Sequence, residues 1–191
     1  MEPDEELVER TLGGDMTAFE TLVRRHQGLV HRVVARVIGH NEADDVTQDA
    51  FLRAFHRLGQ FRGDSPFRAW LLRIAHNTAL SSLAARDPES TTLPAEDGES
   101  VPSSGRTPAH DLEDIERRER LSCKLQQMRQ THRTVLVLRD LEGLSYEEIA
   151  AVTETPLGSV KGRLFRARQE MIEILRHNTY DWELPDERAS A

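Results

Sequence analysis

Hydrophobic residues recur every three to four positions along most of this chain, and that period predicts helices rather than strands. Two helices are predicted within residues 4–39, with Asp15 as the cap of the second. Residues 42–58 form a third amphipathic segment, and a fourth helix is predicted to begin at Ser65 and Pro66. Helical periodicity resumes near Asp111. We therefore predict an all-α protein.

Residues 144–168 predict a helix, a tight turn and a second helix. Ser145 and Glu148 have the spacing of a capping box, and Pro156 follows the point where the first helix must end. In the second helix one side is apolar and faces inward: Val160, Leu164, Ala167 and Met171. The opposite side carries Ser159, Lys161, Gly162, Phe165 and Arg166. Such a face suits a DNA major groove, although a helical hairpin with a solvated basic face has the same pattern.

The helix predicted over 42–58 also has two distinct sides. Its apolar half consists of Val46, Ala50, Phe51, Ala54, Phe55 and Leu58. The other half consists of Asp45, Gln48, Asp49, Leu52 and His56. Carboxylates and an amide around one exposed leucine are typical of a polar-rimmed protein contact, but a solvated acidic face is an equal alternative.

Residues 59–84 combine a short loop with a helix in which aromatic and basic residues alternate. The loop contains Phe61, Arg62 and Asp64, and the helix contains Phe67 and Trp70. Single-stranded nucleic acid requires rings for base stacking and cations along the backbone, so this segment is a candidate for that ligand. The alternative is that one or both helix aromatics belong to the hydrophobic core, which leaves the loop as the better candidate for base contact.

Charge is distributed unevenly over the 191 residues, whose formal net charge is −8. Residues 61–86 hold four arginines and one acid, giving +3, and residues 156–177 hold five basic and two acidic residues, also giving +3. Residues 87–120 sum to −6 and residues 178–191 to −3. The two basic segments indicate contact with DNA, whereas the acidic segments oppose strong unaided binding.

Several classes of site are not expected. The single Cys123 excludes an internal disulfide and a cysteine-rich zinc site, and His26, His31 and His40 show no metal-ligand spacing. No Ser-His-Asp, Cys-His or phosphate-loop pattern occurs, so we expect no catalytic residue, no metal and no cofactor. The acidic N-terminus and the lack of a long apolar run predict a cytoplasmic protein without membrane insertion.

Three motifs carry a resemblance to a known family. They are ADDVTQDAFLRAF at 43–55, FRGDSPFRAWLLRIAHNTA at 61–79, and LRDLEGLSYEEIA with PLGSVKGRLFRAR at 138–168. In this order the chain resembles the extracytoplasmic-function (ECF) sigma factors of bacterial RNA polymerase, within the sigma-70 family, and is most similar to the sigma-E branch. The resemblance covers nearly all of residues 5–177.

The resemblance implies two small helical domains joined by a flexible acidic linker. A sigma-2 domain would span 5–85, bind core polymerase and recognise and melt the promoter −10 element. The linker would span 86–111, where proline, serine, glycine and acids dominate. A sigma-4 domain with the helix-turn-helix would span 112–177 and recognise the −35 element, and residues 178–191 would form an acidic tail.

The resemblance also implies roles for individual residues. By position, contact with the β′ clamp helices of polymerase would fall to Asp45, Gln48, Asp49 and Leu52. Contact with the −10 element would fall to Phe61, Arg62, Gly63, Asp64, Ser65, Arg73 and Asn77. Contact with the −35 element would fall to Arg139, Ser159, Lys161, Gly162, Arg163, Phe165 and Arg166.

The implied function is a promoter-specificity subunit, serving a stress or envelope-response regulon. Its partners would be core RNA polymerase (the β and β′ subunits), promoter DNA and an anti-sigma factor that covers the polymerase and DNA surfaces. The chain departs from the sigma-E pattern at Lys161 and Gly162, where the family usually has arginine and serine. Lysine cannot offer guanine the bidentate fork of arginine, so the −35 preference is expected to be shifted or relaxed. The chain also lacks the basic residues usual at 80–89, and the proline and acids usual at 128–133.

Two other function classes compete with this interpretation. A two-domain transcriptional regulator with a LuxR-like helix-turn-helix would account for 144–168, but it leaves 42–79 unexplained. An enzyme could bind Mg²⁺ through Asp44, Asp45 and Asp49, as isoprenoid synthases do. Such an enzyme needs a second acidic cluster across a large apolar cavity, and the first domain is too small to enclose one.

Overall fold

The computed structural model describes residues 2–85 and 108–177, and within them helices are the only regular structure. The elements are α1 (Asp4–Leu12), α2 (Met16–Ile38), α3 (Ala43–Arg57), a 3-10 turn (Leu58–Gln60), α4 (Phe67–Ala85), α5 (Pro108–Gln127), α6 (Gln130–Leu136), a π-helical segment (Val137–Leu141), α7 (Tyr146–Thr153) and α8 (Leu157–Arg176). Helices α1–α4 form one group and α5–α8 a second, which confirms the all-α prediction with two helical domains. Most of the predicted linker and the whole predicted tail lie outside the described residues.

Local sequence signals set most of the helix ends in the first group. The Asp15 carboxylate caps α2 by accepting a hydrogen bond from the Thr17 amide at 3.0 Å, as predicted. Gly39 ends the same helix with a φ of 98°, a conformation that L side chains rarely adopt. Helix α4 begins at Phe67, slightly later than predicted, because the Pro66 carbonyl accepts the first helical hydrogen bonds from the Ala69 and Trp70 amides.

Helix α4 is buried on two opposite sides. Phe67, Leu71 and Ile74 face α2 and α3 on one side of a 100° helical wheel, and all three are buried. Ala69, Leu72 and His76 fall on the opposite side and are buried as well. Arg68, a strip around Arg73 and Asn77, and the last turn remain accessible. A helix that is apolar on two opposite sides needs neighbours on both. The first group alone therefore cannot bury all the apolar surface of α4.

The helix-turn-helix forms as the sequence predicts. The Ser145 hydroxyl accepts a hydrogen bond from the Glu148 amide, and the Glu148 carboxylate accepts one from the Ser145 amide, which completes the capping box. Glu154 ends α7 in the left-handed conformation with a φ of 51°, and Pro156 precedes α8. The inward side of α8 is buried at Val160, Leu164 and Ala167, as predicted.

Two features of the second group differ from the sequence pattern. Helix α5 begins at Pro108, whereas the pattern places the end of the linker at residue 111. Helix α6 also changes to the π-helical segment at Val137, which a regular helical period does not predict. There the Glu142 amide donates to the Val137 carbonyl, an i to i−5 hydrogen bond that widens the last turn.

The two groups share one contiguous hydrophobic core. Helix α4 packs against α7, and α2 packs against α5, α6 and the π-helical segment. At the end of α2, Arg133 from α6 donates to the Val37 carbonyl at 2.5 Å, and Gln126 from α5 donates to the Arg36 carbonyl at 3.2 Å. These side chains satisfy C-terminal carbonyls that a helix cannot bond internally.

No helix in the described part of the chain is long and apolar enough to cross a membrane. Likewise, no three or more metal-ligating side chains come together among those that the structure describes. His26, which shows no metal-ligand spacing in the sequence, is buried beside Phe67, and its Nε2 lies 2.8 Å from the Asp4 carboxylate.

His76 is a buried histidine whose Nδ1 has no hydrogen-bond partner. Burial lowers the pKa of His76 to about 4, and the nearby charge of Glu154 at the end of α7 raises it only in part. The folded chain therefore holds this imidazole in its neutral form.

We predict that the chain loses stability in mild acid through His76. Above pH 6.5 the imidazole is neutral in both the folded and unfolded chain. As the pH falls from 6.5 towards 4, only the unfolded chain binds the proton, so the free energy of unfolding falls by up to about 3 kcal/mol. Urea denaturation from pH 7.5 to 4.5 should show a shallower decline for His76→Leu than for wild type. The exposed His56→Leu should follow wild type, and identical slopes for all three would contradict the prediction.

Candidate nucleic-acid and polymerase interfaces

The outward side of α8 is an exposed surface of small, basic and aromatic residues. We call it the recognition face: Ser159, Lys161, Gly162, Phe165 and Arg166. Phe165 is the most exposed large hydrophobic residue described, at 66 %. A Cβ added at Gly162 would meet only the Arg166 side chain, at 3.9 Å. The face therefore projects from a helix whose other side is fixed in the core.

The Tyr146 ring contacts both the recognition face and the π-helical segment that carries Arg139. The Arg139 guanidinium lies 4.7 Å from the centre of the Tyr146 ring, and the Lys161 ammonium lies 5.7 Å from it. Arg139 also donates to the Leu144 carbonyl at 2.7 Å. A ring between two cations attracts both and so holds two like charges close together. The structure thus brings the predicted residues Arg139 and Lys161 to one place through a tyrosine that the sequence pattern did not single out.

A bidentate ion pair holds the segment that carries Arg139 against α8. Arg168 donates to both carboxylate oxygens of Asp140, at 2.9 and 2.6 Å. These hydrogen bonds raise the pKa of Arg168. The predicted residue Arg163 lies at the edge of the recognition face, where it donates to the Thr155 hydroxyl at 3.3 Å. Arg163 is therefore tied to the turn before α8.

The loop before α4 rests on an aromatic cluster. The half-buried Phe61 ring packs edge-to-face on Phe67 and Trp70, with centroids 5.5 and 5.6 Å away. Both helix aromatics are buried, so they belong to the core and not to an exposed stacking surface. The loop itself stays accessible at Arg62, Gly63 and Asp64, beside the half-buried Ser65. Arg73 and Asn77 lie along the accessible strip of α4.

The outer side of α3 separates two grooves. Asp45 and Asp49 line a polar groove with Thr78, Ser81 and Ser82 of α4, and Asp49 accepts a hydrogen bond from Arg53 at 2.9 Å. Gln48 and Leu52 border the second groove, and Leu52 is 55 % exposed. We call Asp45, Gln48, Asp49 and Leu52 together the α3 face.

The second groove beside α3 is mainly apolar, and its lining extends beyond the predicted residues. Besides Gln48 and Leu52 it is lined by Met16, Phe19, Val23, Gln27, Asp44, Thr47, Phe51 and Phe55. Of these, Phe51 and Phe55 belong to the predicted apolar half of the helix over 42–58. The spacing of Met16, Phe19 and Val23 along one side of α2 is the signal that could have revealed a continuation of the α3 face. A groove of this kind suits an amphipathic helix of another protein.

Both halves of the chain match known protein-family models. Residues 22–89 match Sigma-70 region 2, and residues 118–171 match Sigma-70, region 4. The first match contains the α3 face and the loop before α4. The second contains the helix-turn-helix and the recognition face.

Curated proteins similar to this chain are bacterial sigma factors. RNA polymerase sigma-H factor of Pseudomonas aeruginosa is 42 % identical, over 92 % of this chain and 95 % of its own length. ECF RNA polymerase sigma-E factor of Escherichia coli K12 is 40 % identical, over 87 % of this chain and 91 % of its own.

Solved structures share the fold. CnrH, solved in complex with the cytosolic domain of CnrY, has a TM-score of 0.68 and 31 % identity, covering 92 % of this chain and 99 % of CnrH. The sigma factor RpoE of Bartonella quintana, solved in complex with the anti-sigma factor NepR, has a TM-score of 0.64 and 24 % identity, covering 84 % of this chain and 98 % of RpoE.

We predict that Tyr146 positions Arg139 and Lys161 for DNA. Tyr146→Leu should weaken binding of a duplex with a sigma-E-like −35 element about two- to fivefold, since an exposed cation–π contact contributes about 0.5–1 kcal/mol. Tyr146→Phe keeps the ring and should bind as wild type in fluorescence anisotropy. The dependence of affinity on salt should stay unchanged, because no phosphate contact is removed. Equal losses in Tyr146→Phe and Tyr146→Leu would show that the ring is not responsible.

Proposed function

This chain belongs to the ECF sigma factors of the sigma-70 family, and we propose on that basis that it binds core RNA polymerase and directs it to a specific set of promoters. The observation that carries the proposal is the presence of both family regions in order, within a chain 40 % identical to a sigma-E factor. As an initiation factor it selects the promoter while polymerase performs the chemistry. It therefore needs no catalytic residue or cofactor of its own, and it acts in the cytoplasm, where polymerase and promoter DNA meet.

The regulator alternative is less well supported. A LuxR-like protein would use the helix-turn-helix, but it would leave the match of residues 22–89 to region 2 without an explanation. We propose the sigma-2 domain at 5–85, the linker at 86–111, the sigma-4 domain at 112–177 and the tail at 178–191.

The α3 face is the proposed site for core polymerase. Asp45, Gln48, Asp49 and Leu52 project from one helix between a polar and an apolar groove. A charged rim around an apolar centre is the usual anatomy of a protein interface. The apolar groove would receive hydrophobic side chains of the β′ clamp helices, while Asp45 and Asp49 would pair with cations at the rim.

The loop before α4 and the accessible strip of α4 form the proposed −10 site. Its members are Phe61, Arg62, Gly63, Asp64, Ser65, Arg73 and Asn77. Gly63 has a φ of 75°, which lets the loop turn sharply over the aromatic cluster. Unstacking a base costs a few kcal/mol, and capture of the flipped base in this loop would offset that cost.

The recognition face, extended by Arg139 and Arg163, forms the proposed −35 site. It presents Ser159, Lys161, Gly162, Phe165 and Arg166 on a single helix that can enter a major groove. Arg166 can form a bidentate contact with guanine, whereas Lys161 acts as a point charge.

Regulation by an anti-sigma factor is also proposed, since a sigma factor of the same fold was solved with the anti-sigma factor NepR bound. The regulon is proposed to be a stress or envelope response.

In vitro transcription tests the function directly. With core polymerase, the chain should support initiation at a promoter carrying a sigma-E-like −35 element. Arg166→Ala should lower initiation about tenfold or more, because a good bidentate base contact contributes about 1–3 kcal/mol. Arg176→Ala, at the other end of α8, removes the same charge and should have little effect. If the wild-type chain neither binds core polymerase nor initiates at any promoter tested, the proposed function is wrong.

The core-binding site has a separate test. Gln48→Ala combined with Asp49→Ala should weaken binding to core polymerase about tenfold, since removing polar interface contacts typically costs about 1–2 kcal/mol. The order of preference among promoters should not change, because these residues do not contact DNA. Glu9→Ala, an exposed acid on α1, is the control in a competition assay against another sigma factor. A changed promoter order with unchanged core affinity would contradict the assignment.

A further inference from the structure

Helix α1 contributes no residue to the proposed polymerase and DNA sites, yet it packs against the chain that leads into one of them. It lies before residues 22–89, which match region 2. It packs along α2 and also contacts the 3-10 turn Leu58–Gln60. A Cβ added at Gly59 in that turn would meet Leu12 Cδ2, from the last turn of α1, at 3.9 Å. The end of α1 therefore lies at the entrance of the loop before α4, which we call the −10 loop (residues 61–65).

The beginning of α1 is fastened to α2 by a carboxylate that uses both of its oxygens. Asp4 Oδ1 accepts a hydrogen bond from the Arg25 guanidinium, and Asp4 Oδ2 lies 2.8 Å from His26 Nε2. The Asp4 side chain is 18 % exposed and the His26 side chain 9 %. Water competes little for hydrogen bonds at this depth, so they are stronger than those of an exposed ion pair.

The hydrogen bond to Asp4 fixes the orientation of the His26 ring. A carboxylate that is paired with an arginine is a pure acceptor, so the contact requires a proton on His26 Nε2. The position and plane of the imidazole are thereby determined by a residue of α1. The same imidazole packs against the Phe67 ring, with centroids 5.5 Å apart and 56° between the ring planes. Helix α1 therefore acts on the core of the domain through His26.

The Phe67 ring carries this contact onward to the −10 loop. Phe67 is 2 % exposed, and it contacts both His26 and Phe61. The Phe61 and Phe67 rings meet edge-to-face at 88°. Buried side chains packed this closely cannot shift one at a time without opening a void. A displaced His26 would therefore displace Phe67 and, with it, Phe61, the first residue of the −10 loop.

The −10 loop requires a fixed base because base capture depends on precise geometry. Arg62, Gly63 and Asp64 are exposed, whereas Phe61 rests on the buried aromatic cluster. Ordering an exposed loop costs conformational entropy at the moment of binding. If Phe61 is already held in place, less of the binding energy of the captured base is lost to that ordering.

We propose that Asp4 and His26 are positioning residues for the −10 element, which orient Phe67 and thereby hold the −10 loop in the conformation that captures a base. This inference rests on the proposed sigma-factor function and adds to the −10 site two residues that do not contact DNA. A pair that only stabilised the domain would weaken every activity by the same factor, through a smaller folded fraction. A positioning pair instead weakens one interaction, the contact between the loop and the captured base.

A thermodynamic cycle between protein and DNA distinguishes these roles. Core polymerase carrying wild type or Asp4→Ala is titrated with the non-template −10 strand of the promoter from the transcription test. A second strand carries an abasic site at the position where base removal weakens wild-type binding most. Asp4→Ala should weaken binding of the intact strand about three- to tenfold and leave binding of the abasic strand nearly unchanged, because coupled contacts are not additive.

Two further variants of the same turn serve as rescue and control. Asp4→Asn keeps an oxygen that accepts the hydrogen bond from His26 Nε2, so it should restore most of the binding that Asp4→Ala loses. Glu5→Ala removes an exposed acid from the first turn of α1 and should bind both strands as wild type does.

Hydrogen exchange in the free chain tests the physical connection without polymerase or DNA. The Phe61 amide donates to the Leu58 carbonyl at 3.0 Å, so its exchange rate reports how often the base of the −10 loop opens. Asp4→Ala should speed exchange at Phe61 severalfold beyond any change at Leu72, a buried residue in the middle of α4. Glu5→Ala should leave both rates unchanged.

The outcomes separate this inference from the proposed function. Equal losses on the intact and abasic strands, equal losses in Asp4→Ala and Asp4→Asn, or unchanged exchange at Phe61 would each overturn the positioning role. If wild type still binds core polymerase and initiates transcription, any of these results leaves the proposed function standing. If no abasic site weakens wild-type binding, base capture by the −10 loop is wrong, and the positioning role fails with it.

Discussion

Burial of α4 on two opposite sides is the constraint on which the rest of the structure depends. One side completes the core of the first domain, and the other presents Ala69, Leu72 and the neutral His76 to the second. Apolar surface of this extent is not stable in water when left uncovered. The helix that carries the proposed −10 site therefore also determines where the second domain lies. Any partner that separates the domains must cover this side of α4 or bear the free-energy cost of its exposure.

The carboxylates of the interface connect local folding with domain arrangement. Glu148 accepts hydrogen bonds from Arg68 of α4 and from the Ser145 amide, so the carboxylate of the capping box also joins α7 to α4. Glu142 is nearly buried, and removing its cations, Arg32 and Arg36 of α2, while the domains remain packed would leave an uncompensated charge, which is strongly destabilising.

The sequence predicts the structure correctly wherever the interactions that determine it join residues close together in the chain. The capping box at Ser145, the cap at Asp15 and the two sides of α3 were all predicted from residues a few positions apart. The ion pairs between the two domains were not, because Arg68 and Glu148 are 80 residues apart and Arg32 and Glu142 are 110 apart. The many apolar residues of α4 did indicate burial on more than one side. However, its aromatic residues also suited stacking with nucleic-acid bases. The positions of Phe67 and Trp70 in the core required the three-dimensional structure, as did the apolar groove that extends the α3 face.

Gly162 is a position on α8 where a side chain can be added without disturbing the packing of the domain. A side chain there would enter open space beside Arg166, and the helix would gain up to about 1 kcal/mol of helix propensity from an alanine at this position. The inward residues Val160, Leu164 and Ala167 would remain undisturbed by the change. If this face contacts the −35 element as proposed, promoter preference and folding are separable properties at this position. In evolutionary terms, a lineage could exchange one set of target genes for another by substitutions on the outside of a single helix, without first passing through unstable intermediates.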